Sequence, residues 1–158
     1  MRVRNATTGD LGTILALNAF VQRQHAEVLP RLFKLPTDSQ QLVDAFRVIL
    51  QAPDSLVLMA EDAEPVGYIY AQFQNRPASW AHLELQVLYI HHLVIAPKFR
   101  LQGAGALLLS NAMDTARSNG IGRVELDVWA FNSEAKGFYA KRGFEVFNER
   151  MQISISGS

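Results

Sequence analysis

Apolar residues recur along the chain in two patterns, helical spacing on some stretches and continuous, partly β-branched runs on others, and the turn residues between them set an order of elements. Residues 2–6 read as a short strand. Thr7-x-x-Asp10 then makes a capping-box-like start for an apolar run at Leu11, Ile14 and Leu15, which predicts a helix. A second helix is expected from near Thr37-x-x-Gln40, carrying Leu42, Ala45, Phe46, Ile49 and Leu50 on one face until Pro53 ends it. Leu56 to Ala60 and Val66 to Phe73 are apolar runs joined by the turn-forming Asp62-Ala63-Glu64-Pro65, the pattern of an antiparallel hairpin. A third strand is expected over Leu83 to Ile95.

Leu108, Leu109, Ala112, Met113 and Ala116 return to helical spacing and predict a helix that ends at Asn119-Gly120. Val124 to Trp129 reads as a strand, Asn132 to Arg142 as a short helix stopped by Gly143, and Met151 to Ile155 as a closing strand. The order β-α-α-β-β-β-α-β-α-β mixes hairpins with crossover helices. It predicts an α/β or α+β fold with a mixed, mostly antiparallel central sheet flanked by helices.

Composition narrows this picture. A chain of 158 residues has the size of one domain, and with 49% hydrophobic and 19% charged residues it has the makings of an ordinary core. No repeat or linker-like composition shift interrupts it, so a single domain over 1–158 is expected. Lys plus Arg (15) balances Asp plus Glu (15), and neither half departs from neutrality by more than one charge, which gives no electrostatic footprint for nucleic acid. The start of the chain has no apolar leader and no stretch approaches the roughly 18 apolar residues of a membrane helix, so no membrane partner and a cytoplasmic location are expected. The chain has no cysteine, which excludes thiolate chemistry. Its four histidines show neither His-x-x-x-His nor carboxylate clustering, so no metal is implied.

Candidate chemistry concentrates in His92-Leu-Val-Ile-Ala-Pro-Lys-Phe-Arg-Leu-Gln-Gly-Ala-Gly-Ala-Leu-Leu-Leu, which reads as strand, glycine-rich turn and helix start. Gly103 and Gly105 let a backbone approach a ligand closely, the N–H groups and positive end of the following helix attract phosphate oxygens, and Arg100 adds a charged donor. The P-loop is excluded because no Gly-Lys-Ser/Thr follows, and the dinucleotide fingerprint fails where Leu108 takes the place of its third glycine. By itself a Gly-x-Gly that opens a helix is equally well a tight turn.

Arg100-x-x-Gly103-x-Gly105, preceded by Leu93-Val-Ile-Ala-Pro, is followed some thirty residues later by Asn132-x-x-Ala135-x-x-Phe138-Tyr139-x-Lys-x-Gly143-Phe144. Together with Arg4-x-Ala-Thr-x-x-Asp10, this resembles the GNAT superfamily of acyl-CoA-dependent N-acyltransferases over most of the chain. The resemblance implies an enzyme that uses acetyl-CoA to acetylate an amine. It assigns the N–H groups of Leu101, Gln102, Gly103, Ala104, Gly105 and Ala106 to the CoA pyrophosphate, and the strand at Leu93, Val94 and Ile95 to the pantetheine arm. By the same carry-over a strand N–H near Leu93 polarises the thioester carbonyl, Tyr139 donates a proton to departing CoA thiolate, and Asn132 contacts the pantetheine as well as capping its helix. Leu101 departs from the family pattern, which often has a small residue there.

The acceptor must lose a proton as it attacks. His91 stands where some relatives carry a carboxylate base and is the first candidate, Glu84 acting through water is the second, and substrate geometry with bulk water is the third. Adjacent strand residues face opposite sides, so His91 and His92 cannot both face one substrate unless a bulge intervenes. His25, in Phe20-x-x-x-x-His25-x-x-x-x-Pro30-x-x-Phe33, matches the acceptor side of some relatives and equally an ordinary surface. Without cysteine or an activated serine motif, direct attack in a ternary complex is expected on a small-molecule amine, with peptide N-termini as the other acceptor class. A non-catalytic CoA-binding sensor is the rival reading, and the resemblance admits a homodimer.

Overall fold

The computed structural model describes residues 1–156, which fall into two compact units, 1–126 and 127–156. The first is built on a five-stranded sheet in the order β1-β2-β3-β4-β5. Its strands are β1 (Arg2–Asn5), β2 (Ser55–Glu61), β3 (Pro65–Arg76), β4 (Leu85–Ile95) and β5 (Val124–Leu126). The first three pairings are antiparallel and β4 to β5 is parallel. A parallel neighbour needs a crossover, and α3 (Ala104–Ser118) supplies it. The expected class, a mostly antiparallel mixed sheet flanked by helices, is the one observed.

Leu56 to Ala60 and Val66 to Ala71 are buried without alternation because both faces of the sheet are covered. On one face α1 (Leu11–Val28) and α2 (Gln40–Gln51) set Ile14, Leu17 and Phe46 against Val57, Met59, Tyr68, Tyr70, Val94 and Ala96. The residues of opposite parity, among them Leu58, Ile69 and Leu88, are buried on the α3 side, where Leu108, Leu109, Ala112 and Ala116 contribute the helix stripe. Each buried Val, Leu, Ile, Met or Phe side chain among them contributes roughly 1.5–3 kcal/mol by leaving water.

Local signals set the kind of element here and not its bounds. The Thr7/Asp10 capping box forms, but it starts a single 3₁₀ turn, Thr8–Asp10, that runs into α1. Arg4 reaches from β1 to grip both oxygens of Asp10 at 2.8 and 2.9 Å, and this pairing holds the Asp10 carboxyl down at about 2. The cap of α2 is Ser39, whose Oγ accepts from the Leu42 N–H at 3.4 Å, and not Thr37. The strand expected from Leu83 begins at Leu85, and the one expected to reach Trp129 stops at Leu126.

In the second unit α4 (Ser133–Ala140) is capped by Asn132, whose side chain accepts from the Ala135 N–H at 3.0 Å. The closing strand expected over 151–155 does not form, and Met151, Ile153 and Ile155 are all exposed. Alternation of apolar residues is only half of a strand signal. A ladder needs a partner, and among the described residues of 127–156 no strand is present to provide one.

Candidate active site

The geometry of the site begins with one extra residue in β4. Gln72 pairs with Tyr89 and Ala71 with Ile90, whereas Tyr70 pairs with His92, so His91 is the bulged residue. A bulge changes the phase of everything after it. Leu88 sends its N–H toward β5, to Arg123 O at 3.0 Å, so before the bulge even-numbered residues face that edge. Beyond it Ala96 N–H donates to Val66 O at 2.9 Å, toward β3, and alternation then turns the N–H groups of Leu93 and Ile95 to the β5 side. Val94, by contrast, gives its N–H to the β3 side and buries its side chain.

On that side β5 pairs with β4 only from Leu88 to Ile90. Among the described residues no strand pairs with the edge at Leu93 and Ile95, which leaves a row of strand donors suited to an extended amide-bearing ligand. β3 backs this segment closely. A Cβ at Gly67 would overlap the Val94 carbonyl oxygen and lie 2.7 Å from Ile95 Cδ1, so only glycine fits there.

The strand leads through Pro97–Phe99, a 3₁₀ turn, into the loop at Arg100 and so to α3. Gly103 sits at φ 88°, in the left-handed region, and caps α3 without a side chain. The first helical hydrogen bond runs from Leu107 N–H to Gly103 O at 3.0 Å, so the N–H groups of Ala104, Gly105 and Ala106 precede it and have no partner within the helix. With the positive end of a helix of 15 residues behind them, they form a place where phosphate oxygens are favoured. Leu101 is also left-handed, at φ 62°, with its side chain almost wholly in water. Gln102 folds back to Lys98 O at 3.0 Å, and Arg100 is exposed. The donor set is therefore backbone, which fits a pyrophosphate and asks nothing of the side chain at position 101.

The bulge also decides the histidine question. His91 stacks on Tyr70 at 4.6 Å and His92 meets the same ring edge-on at 5.5 Å, so both imidazoles lie on the face of the sheet that carries α1 and α2. His92 is the deeper. It contacts Phe46 and shares a hydrogen bond of 3.1 Å between its Nδ1 and Tyr68 Oη, and burial, helped by its histidine neighbours, pushes it down to about 4. His91 is more open, with Nε2 3.1 Å from Gln72 Oε1, and burial lowers it too. His25, near the end of α1, stacks on Phe33 at 4.9 Å, is lowered by burial, and lies close enough for its charge to act on His92. Three neutral imidazoles and two tyrosines thus line this face. The separate hollow of about 200 Å³ beside Asn5, Ile49, Leu50 and Val57 has no titratable side chain in its lining.

Residues 21–144 match the family model described as Acetyltransferase (GNAT) family, which spans both motifs. The chain belongs to the GNAT acetyltransferase family. An uncharacterised N-acetyltransferase of Bacillus subtilis, YhfO, is 28% identical over 92% of this chain and 90% of its own length. L-ornithine N5-acetyltransferase of Arabidopsis thaliana is 32% identical over 66% of this chain, although that match spans only 42% of the plant protein. Among solved structures, a mutant of the BH1408 protein from Bacillus halodurans superposes with a TM-score of 0.93 at 23% identity, covering 98% of this chain and 99% of the other. AAC(6')-Iy in complex with the bisubstrate analogue CoA-S-monomethyl-acetylneamine gives 0.75 at 15% identity over 97% of this chain and 96% of that one. These two likenesses concern the fold.

Within this GNAT domain Tyr139 and Asn132 lie in the second unit. Tyr139 packs against Phe138 at 5.1 Å and Phe144 at 5.4 Å, and burial pushes its phenol up to about 12, so it holds its proton at neutral pH. Asn132 spends its side-chain oxygen on the α4 cap, which leaves its amide N–H₂ as the part able to donate. Glu84 is exposed. Glu125 is buried between Arg76 at 2.8 Å and Arg123 at 2.6 Å. Tyr68, Tyr70 and Gln72 carry no signal of their own in the sequence, because only the bulge brings them, with His92, together with His91. Among the described residues no group of acidic or histidine side chains could hold a metal ion, and no helix is long and apolar enough to cross a membrane.

Proposed function

We propose that this chain is an acetyl-CoA-dependent N-acetyltransferase of one catalytic domain that acetylates the primary amine of a small molecule by direct attack. The observation that carries the reading is the phase of β4: the bulge at His91 turns the Leu93 and Ile95 N–H groups to an edge without a partner strand, and that edge runs into a loop with a bare helix N-terminus. Acetyl-CoA supplies the activated acetyl group.

Each residue then has a task of its own. The N–H groups of residues 101–106 bind and orient the pyrophosphate, with Arg100 adding charge. The Leu93 N–H stabilises negative charge developing on a carbonyl oxygen, an effect worth about 3 kcal/mol per donor. Tyr139, which keeps its proton at neutral pH, gives it to the leaving sulfur. His91, neutral and accessible, takes the proton that the attacking nitrogen sheds as its bond to carbon forms. The relatives named for ornithine and for an acetylneamine analogue favour small polyamine-like acceptors.

The test is thiol release from acetyl-CoA, read with a disulfide dye across diamines, basic amino acids, aminoglycosides and peptide N-termini; the cysteine-free protein gives no background. Release is expected with a small amine. Release with peptides alone would move the acceptor class, and acetyl-CoA binding without release from any amine would make the chain a sensor.

A further inference from the structure

His91 is tied into a string of side chains whose directions are fixed at both ends. Gln72 Nε2 donates to Asp54 Oδ2 at 2.7 Å. A carboxylate oxygen only accepts, so the amide nitrogen of Gln72 must be the group facing Asp54 and its oxygen must face away. Asp54 is itself anchored beside Gln72, because the Phe73 N–H donates to its carbonyl at 2.8 Å. From the other side, Arg76 only donates: one guanidinium nitrogen reaches Gln74 Oε1 at 2.9 Å and another reaches Glu125 at 2.8 Å. Gln74 therefore turns its Nε2 toward Gln72 Oε1, 3.4 Å away. Two independent anchors give Gln72 the same orientation, with its oxygen toward His91 Nε2 at 3.1 Å.

An oxygen that only accepts demands a hydrogen on the nitrogen it meets. We infer that Gln72 and Asp54 are positioning residues that hold His91 as the Nε2–H tautomer, leaving the lone pair on Nδ1 as the proton acceptor of the transfer. The inference rests on the reading of His91 as the group that takes the amine proton. In the step, an N–H bond of the acceptor breaks, its electron pair stays on nitrogen for the new C–N bond, and the proton bonds to Nδ1. The imidazolium that results keeps its charge and its Nε2–H on Gln72 Oε1, and the Asp54 carboxylate stabilises it by polarising the Gln72 amide that it holds. Tyr70, stacked at 14° beneath the ring, keeps the imidazole plane aligned with this string.

The experiment is ¹⁵N NMR of the histidine side chains at a pH where they are neutral, with His91 assigned by its absence in His91→Ala, alongside turnover. Wild type is expected to show Nε2 protonated at His91. Gln72→Lys puts a donor where the acceptor stood, with Asp54 still at hand to pair it. It should invert the tautomer and lower kcat by at least about tenfold while KM for acetyl-CoA is unmoved. A swapped pair, Asp54→Asn with Gln72→Glu, keeps a donor at 54 and an acceptor at 72, and should restore the wild-type tautomer and most of the turnover. An Nδ1–H tautomer in wild type, an unchanged tautomer in Gln72→Lys, or an inverted one in the swapped pair overturns the inference. An inverted tautomer in Gln72→Lys with full turnover, and full turnover in His91→Ala, would instead remove His91 from the chemistry and leave the tautomer lock standing.

Discussion

The two directions that lead away from the bulge at His91 are built on different principles. Toward α3 the machinery is backbone: strand N–H groups at Leu93 and Ile95, then the left-handed loop and the open first turn of a helix. On the α1/α2 face it is side chains: His91, His92 and His25 with Tyr68, Tyr70 and Gln72. A backbone site tolerates almost any side chain that permits the right φ and ψ, which is why Leu101 can stand where a small residue is usual. A side-chain site depends on register, and one inserted residue decides which rings meet.

The comparison is broken most severely at Gly67, where β3 supports the donor edge. Gly67→Ala would drive a Cβ into the Val94 carbonyl and against Ile95, and backbone cannot yield as a flexible side chain does. A loss of roughly 3 kcal/mol or more is expected, read as a lower denaturation midpoint with an unchanged slope. If the variant is as stable as wild type, β4 does not lie this close to β3, and the donor edge as described is wrong.

The histidine-bearing face is tested by acid. His92 is held near 4 in the folded chain against 6.5 for an ordinary imidazole, so the unfolded chain binds its proton first. Stability from this group is complete above pH 6.5 and falls as the pH drops from there to about 4, by at most on the order of 3 kcal/mol. Tyr68, Tyr70, Phe46, His91 and His25 surround it; the two other histidines are lowered as well and add slope of the same sign. Asp10, held at about 2, keeps its stabilising contribution through this range and loses it only below its ordinary 3.8. Denaturation of wild type and His92→Gln at pH 7 and pH 4.5 should show a large acid loss in the first and a small one in the second. Equal losses would mean that His92 is not desolvated.

How much of this was legible follows from the same division. The donor side was readable because Gly103 and Gly105 before a helical stripe at Leu108, Leu109 and Ala112 constrain the backbone locally. The histidine side was not, because nothing in Tyr89-Ile-His-His-Leu93 announces a bulge; the run is equally apolar in either register, and only a bulge lets His91 and His92 share a face. The absence of the strand expected at 151–155 and the shift of the α2 cap from Thr37 to Ser39 have the same origin. A local pattern specifies what a segment can become, and its partners decide what it does.

Gly103→Val probes the donor side directly. A Cβ at this position would meet nothing within 4 Å, so the harm does not come from a clash inside the protein. It comes from φ 88°, which a β-branched residue resists at a cost of about 2 kcal/mol, and from bulk placed where a ligand's phosphates approach. Acetyl-CoA affinity, measured by calorimetry on the folded variant, should fall at least about tenfold while the pH dependence attributed to His92 is retained. Undiminished affinity would take the pyrophosphate away from this loop.

The smallest effect is the most discriminating, because it separates strain from function two residues earlier. Leu101 is 98% exposed and left-handed at φ 62°, so its side chain contributes no burial, while its backbone carries the penalty that L-residues incur there. Leu101→Gly relieves about 1–2 kcal/mol of that penalty and gives back roughly 0.5–1 kcal/mol through the freer unfolded chain. A net gain of roughly 0.5 kcal/mol is expected, with Leu101→Asn close behind, since asparagine accepts this conformation without glycine's entropy. Acetyl-CoA binding should not change, because the loop offers N–H groups and these keep their directions. A stabilised variant with weaker binding would show that the leucine side chain itself touches the cofactor, and the donor side would then no longer be a site made of backbone alone.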